Sequence, residues 1–427
     1  MSRRAGRART PAAPQSPHNA NPVGKGLRRT RSVRPTTVPP PLSAAGAGKV
    51  RLGDVCEEVS VRNRDGKVSS VYSVTNFGGF IPSTEYFSKE VYSKSLATYK
   101  IVKPGMFAYN PSRINVGSVN RWIGEAPVIV SPLYIVVNPD PRRIEGSYLN
   151  YFLHSKEALC QIRNLTEGTV RDSLKFSGFQ RLTLPLPPLP IQQRIADELD
   201  RLCAMKKNAE DRLAILDQIV KSRFVEMFGD MVRKPRFSCK ALGEIAAVGS
   251  SKRIFQSEYV NQGVPFYRSK EVVELSKGKE ITTSLWISRE RFEEIKARFG
   301  VPSKGDLLVT AVGTIGQIWI VDGASEFYYK DGNLMCIHPG VYLDSVYLRE
   351  ALIRLIADYK MTMPQGTAYA AFTIEVARKL QLPLPPIGEQ RKFAAFVGEV
   401  DKSKLTLRET VATLDQLYRA KLQEYFG

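Results

Sequence analysis

The stretch Tyr109-Asn110-Pro111-Ser112-Arg113-Ile114-Asn115 sets a phenol, two amides, a hydroxyl and a guanidinium beside a strand-like run. That mixture suits hydrogen bonding to phosphates and base edges, and is costly to bury without partners. Similar turns recur along the chain. The first half adds Arg62 and Arg64, Ser73, Thr75-Asn76, and Thr169 with Arg171. The second half offers Lys252-Arg253, Tyr267-Arg268, Lys270, Thr310, Thr314, Gln317, and Thr367 with Tyr369. All are candidate contacts to a polyanion. Tyr109, Asn110, Ser112, Arg113 and Asn115 form the densest group.

Catalytic chemistry finds no comparable group. No Gly-x-Gly-x-x-Gly, Gly-x-x-x-x-Gly-Lys-Ser/Thr, His-Glu-x-x-His or Gly-x-Ser-x-Gly occurs. Asn110-Pro111-Ser112 lacks the second proline and the aromatic residue of the Asn/Asp-Pro-Pro-aromatic tetrad of amino-group methyltransferases. The five cysteines (Cys56, Cys160, Cys203, Cys239, Cys336) and three histidines (His18, His154, His338) are scattered, without a Cys-x-x-Cys pair. The expectation is reduced, mostly packed thiols and no bound metal.

Charge supports a polyanionic partner. The formal net charge is +20, and residues 1–50 hold ten Lys/Arg and no acid. The remaining chain carries 52 basic and 42 acidic residues, an excess of ten. Residues 1–48, rich in Arg, Pro, Ala and Gly, bury too little to offset the entropy of ordering and read as a disordered basic tail. The longest apolar run, Ala126–Val137, is broken by Ser131-Pro132 and is too short for a bilayer. A cytoplasmic location is expected.

The elements that hold these turns are written twice. Gly168-Thr169, Leu184-Pro185-Leu186-Pro187-Pro188 and Gln193-Arg194 return as Gly366-Thr367, Leu382-Pro383-Leu384-Pro385-Pro386 and Gln390-Arg391. The register is 198 residues, with one apparent slip before the Gln-Arg pair. Upstream, β-like runs at Val71–Val74, Met106–Tyr109 and Val128–Val137 precede a helical stretch at Ser147–Asn164. Leu242-Gly243-Glu244-Ile245, Phe266-Tyr267, Lys304-Gly305-Asp306-Leu307 and a helix at Ser345–Tyr359 repeat that order.

Each proline run predicts an extended strap, since proline bars the helix interior. A long helix should follow. In the first, a 4-3 apolar stripe runs through Ile195, Leu199, Leu202, Lys206, Ala209, Leu213, Leu216, Val220, Arg223 and Met227. In the second it runs through Phe393, Val397, Val400, Lys404, Leu407, Val411, Leu414, Tyr418, Lys421 and Tyr425, every position 198 residues on. A sustained 3.5-residue period is a coiled-coil seam. The stripes predict an antiparallel pair whose basic interruptions fall in register, a stiff spacer with one domain at each end.

These residues resemble the specificity subunit of type I restriction-modification systems. The Gly-Thr turn, the Leu-Pro-Leu-Pro-Pro strap, the Gln-Arg pair and the following helix carry the likeness, twice over. Tyr72–Asn76, Lys100–Gly105 and Asn110–Ser118 resemble one class of target recognition domain. The resemblance covers residue 49 to the end.

It implies an α+β architecture of two pseudo-repeated mixed domains: target recognition domains at 49–190 and 235–386, with spacer helices at 191–229 and 387–427. It further implies a non-catalytic subunit that reads a bipartite double-stranded DNA site, its half-sites about one helical turn apart. Two methyltransferase subunits using S-adenosylmethionine, and restriction subunits using ATP and Mg²⁺, would be the partners; this chain itself would hold no cofactor. A self-contained DNA-modifying enzyme, or an RNA-binding or scaffold protein, remains the alternative reading.

Overall fold

In the computed structural model the described residues are 47–76, 78–83, 96–166, 173–362 and 371–427. They fall in one unit, Ser43–Gly427. Thr169, Arg171, Thr367 and Tyr369, and nearly all of the expected basic tail, lie outside them.

Each half builds the same four-stranded antiparallel sheet. In the first, the order is Cys56–Val59, Ile135–Pro139, Phe107–Tyr109, Val119–Arg121. In the second it is Ala246–Gly249, Leu334–Pro339, Leu307–Thr310, Ile318–Ile320. The central registers match, Phe107 opposite Val137 and Leu307 opposite Ile337. Period-two alternation explains how such a short strand serves two cores. Leu307 and Val309 face the core shared with the long helices, while Leu308 faces a separate core with Phe266 and Tyr328.

Two sequence expectations need correction. Ser147–Asn164 is not one helix but two, Gly146–Leu153 and Lys156–Leu165. Ser155 ends the continuity, because its hydroxyl accepts from the Ala158 amide and caps the second helix. Val128–Val137 is likewise two strands in different sheets, divided at Ser131-Pro132. The counterpart in the second half, Ser345–Thr362, stays continuous.

The proline runs do form extended straps. Thr183–Pro185 pairs with Lys49–Arg51, and Gln381–Pro383 with Cys239–Ala241. Pro188 and Pro386, in extended backbone, cap helices of 40 residues each, Leu189–Phe228 and Ile387–Phe426. The buried Tyr148 donates its hydroxyl proton to Pro185 O at 2.8 Å, and Tyr347 does the same to Pro383 O at 2.6 Å.

The strap also removes the apparent slip in the repeat. Gln192, not Gln193, is the counterpart of Gln390. Both are fully buried. Gln192 accepts from the Glu145 amide at 2.8 Å and donates to Arg143 O and Pro187 O at 3.0 and 2.8 Å. Gln390 accepts from the Asp344 amide at 2.9 Å and donates to Tyr342 O and Pro385 O at 2.9 and 2.8 Å. Register 198 therefore holds without interruption from the strap through both long helices. Gln192→Ala would leave three inward-facing backbone groups without partners, an expected loss of about 2–3 kcal/mol. Urea unfolding of wild type and variant would measure it.

The long helices are antiparallel. Lys206 Nζ meets Asp415 Oδ1 at 2.6 Å, and Lys404 Nζ meets Asp217 Oδ1 at 2.7 Å. Each pair is the other's image under the 198-residue repeat, so the two inner basic interruptions of the seam, Lys206 and Lys404, face the aspartates of Leu414-Asp415-Gln416 and Leu216-Asp217-Gln218. The Lys206 ammonium holds the Asp415 carboxyl below its ordinary range. Part-exposed pairs of this kind contribute no more than about 1 kcal/mol; what they fix is the register. The outer interruptions differ: Lys421 lies 3.3 Å from Glu198, whereas Arg223 stacks 5.8 Å over Phe396.

Each domain sits at one end of the pair. Phe224, Phe228 and Phe393 pack with Tyr347 at the second domain's end, the Phe228–Tyr347 centroids 4.9 Å apart. Phe426 lies 5.0 Å from Tyr148 and 5.8 Å from Phe152 at the first. Between the ends Ala209 and Leu414 of the seam are buried, whereas Leu213, Leu216, Leu407 and Val411 stay half-buried.

Candidate nucleic-acid interface

In the first domain the loop 110–118 leaves one central strand and returns in the next. Asn110 builds it: its side-chain oxygen accepts from the Ser112 amide at 3.1 Å, and its carbonyl from the Arg113 amide at 3.0 Å. Ile114 is fully buried and anchors the loop. Gly117 turns it with φ of 89°, and a side chain there would meet Asn76 Cβ at 3.7 Å. Ser118 donates to Val74 O at 2.7 Å, joining the loop to the hairpin Tyr72–Thr75/Gly79–Pro82. Asn76, Ser112 and Arg113 are thereby gathered, exposed, at one rim, with Asn110 and Asn115 half-buried behind them.

The second domain builds an equivalent rim. After Leu307–Thr310 the chain turns through Gly313 and Gly316, with φ of 75° and 84°. Thr310 shapes the turn, donating to Thr314 O and accepting from the Gln317 amide at 2.9 Å. Thr314 is exposed at its tip and Gln317 half-buried.

In both domains the described chain that follows the Gly-Thr pair in sequence lands beside this rim. The Leu174 amide donates to Pro111 O at 3.0 Å, and the Phe372 amide to Ala311 O at 2.9 Å. Leu174 and Phe372 are again 198 residues apart.

Several candidate contacts are not surface groups. Tyr109 and Thr310 are fully buried. Tyr109 stacks on Phe179 at 5.3 Å, its hydroxyl has no partner among the described residues, and burial pushes its phenol well up. Ser73, Thr75 and Tyr267 are at most 8% exposed. Thr75 holds its hairpin turn by accepting from the Gly78 amide at 3.0 Å, and Ser73 bonds Ser83 at 3.1 Å. These residues set loop shape rather than reach outward.

The cations divide similarly. Arg62 and Arg64 are exposed on either side of buried Asn63, whose amide group bonds Val68 twice, at 2.7 and 3.1 Å. Lys270 is exposed as well. Arg253 is paired with Asp331 at 2.8 Å, and Lys252 lies 4.3 Å over the Phe299 ring. Arg268 binds Glu271 at 2.9 Å; burial would raise that carboxyl, but the Arg268 hydrogen bonds hold it below its ordinary value.

Sequence reasoning missed Asn120, set against Gly79, and the turn Lys330-Asp331-Gly332-Asn333. The Asn333 carbonyl accepts from the Ala311 amide at 2.8 Å, which brings this turn to the second rim. Its Asp-Gly-Asn composition is itself a turn signal. The expectation of mostly packed thiols holds only for Cys56 and Cys336; Cys160, Cys203 and Cys239 are exposed. No helix among the described residues is long and apolar enough to cross a membrane.

The architecture defines a class: a duplicated, two-headed protein whose heads are held apart by its own helices. Residues 47–215 and 237–416 each match the family model for the type I restriction modification DNA specificity domain, and the chain belongs to that family.

A Haemophilus influenzae chain bearing the name of a type I restriction enzyme specificity subunit is 26% identical over 240 residues. That match covers 55% of this chain and 60% of the relative. The MjaVIII specificity subunit of Methanocaldococcus jannaschii is 21% identical over 384 residues, covering 82% of this chain and 85% of its own.

The fold is shared with solved structures. A chain from a study of complex assembly and conformational transition of the type I restriction-modification system aligns with TM-score 0.55 at 17% identity, covering 88% of this chain and 96% of that one. The S subunit from M. genitalium aligns with TM-score 0.52 at 14% identity, covering 89% and 96%.

Proposed function

We propose that this chain is the DNA-reading subunit of a type I restriction-modification complex, each head reading one half of a bipartite duplex site. The observation that carries this reading is the repeated rim. Loops 110–118 and 311–317 sit at the same strand ends, beside the same returning segment, on scaffolds in common register. Their side chains differ, as two readers of different half-sites require. The antiparallel helices relate the rims by a pseudo-twofold, matching the local twofold of a duplex backbone.

The chemistry belongs to partners. Two methyltransferase subunits would bring S-adenosylmethionine, and restriction subunits would bring ATP and Mg²⁺. The helix pair supports two docking sites: Ile219 and Leu417, 198 residues apart, are exposed to the same degree, 42% and 43%. Ile219→Asp with Leu417→Asp is expected to abolish co-purification of the methyltransferase while leaving the helix content unchanged. Pull-down with circular dichroism would check both.

Exchange of residues 235–385 for the domain of another family member is the direct test. Methylated-base mapping of the co-expressed complex should show one half-site replaced and the other retained. A motif changed throughout would oppose the reading. Methylation by the purified chain alone would favour a self-contained enzyme, and preference for single-stranded RNA over bipartite duplex at fixed salt would favour the RNA-binding alternative.

A further inference from the structure

The second head contains a cluster that its duplicate lacks. Cys336 and His338, two apart on the strand Leu334–Pro339, project from the same sheet face, and Asp306 stands opposite His338 at the start of the neighbouring strand. Their ligand atoms all lie within 4.8 Å of one another, with His338 Nδ1 2.9 Å from Asp306 Oδ2. Ser303 donates to Asp306 Oδ2 through its amide and its hydroxyl, at 2.6 and 3.0 Å, and fixes that carboxylate. The matching register positions of the first head are Met106, Val136 and Asn138. The shared scaffold therefore folds without any of the three.

We propose that Asp306, Cys336 and His338 form a three-ligand site for a borderline-soft divalent cation of the zinc class. A thiolate, an imidazole and a carboxylate are the donor set such an ion takes, and three protein ligands leave a fourth position open. Two of the three ligands, Cys336 and His338, border a cavity of about 320 Å³ also lined by Ser250, Ser251 and Lys252. Charge balances on binding. The dication displaces two protons: that of the thiol passes to solvent, and the one His338 Nδ1 shares with Asp306 is given up as the neutral ring keeps its proton on Nε2. Thiolate and carboxylate then neutralise the ion, so the occupied site carries no net charge.

The test uses the full chain without a histidine tag, stripped with chelator and titrated with Co²⁺ as a spectroscopic probe. One equivalent should produce a thiolate-to-cobalt charge-transfer band that Zn²⁺ then erases. Cys336→Ser should abolish the band, while Cys56→Ser, altering the buried thiol of the other head, should retain it. Because Cys336 is buried, His338→Ala at a half-exposed position provides a second variant whose core is intact. It should weaken binding by more than the ~10–100-fold that loss of a supporting contact costs. Absence of the band at one equivalent, or its persistence in Cys336→Ser, or unchanged affinity in His338→Ala, would overturn the site.

Discussion

Removing Lys207–Leu213 from the first long helix together with the facing Arg408–Leu414 from the second is expected to shorten the unspecified gap of the DNA site by about three base pairs. Seven residues of helix span about 10.5 Å, and a base pair rises about 3.4 Å. The deletion keeps the 4-3 seam in phase, since Lys206 is then followed by Leu216 three positions on and Leu407 by Tyr418 four positions on. The cross-helix ion pairs Lys206–Asp415, Lys404–Asp217 and Lys421–Glu198 lie outside the deleted residues. Each end therefore keeps its packing while the separation changes. Deletion from one helix alone sets the two out of register, because each helix is tied to both heads; loss of activity is the expected outcome. Methylated-base mapping of the assembled complex reads the first result, and an unchanged gap would contradict a spacer role for the helices.

The second large effect is on stability. Phe228→Ala is expected to cost about 3–5 kcal/mol, the range for deleting a fully buried aromatic ring. Its ring meets Phe224 at 5.0 Å, Tyr347 at 4.9 Å, Phe393 at 5.5 Å and Phe237 at 6.4 Å. One residue thus ties the end of the first helix, the start of the second and the second head together. Hydrogen exchange should accelerate in residues 235–386, whereas the Tyr148–Phe426 end should keep its protection. Phe426→Ala should reverse that pattern. Uniform acceleration in both variants would mean that the two ends are not separate packing units.

Much of this arrangement was legible in the sequence because it depends on periodicity and repetition. The 4-3 stripes announced two paired helices, and the common offset of Lys206 and Lys404 announced that they meet. The proline runs marked both helix starts. What escaped depends on tertiary pairing. The repeat seemed to slip because adjacent glutamines, Gln192 and Gln193, are indistinguishable until one is seen bonding the strap. Phe224, Phe228 and Phe426 lie off the stripe, and only the docking of the heads explains their burial.

In the candidate interface, composition located the loops but could not separate the side chains that shape a turn, such as Thr75 and Thr310, from those left exposed, such as Ser112, Arg113 and Thr314. Asp306 and His338 are far apart in sequence and become neighbours only through strand register. No spacing rule for metal ligands detects such a pair.

Co-expression of this chain with the methyltransferase subunit proposed as its partner, followed by genome-wide mapping of modified bases, addresses the whole account at once. Two short specified blocks separated by a fixed run of unspecified bases are predicted, one block for each head. A single uninterrupted motif would contradict it.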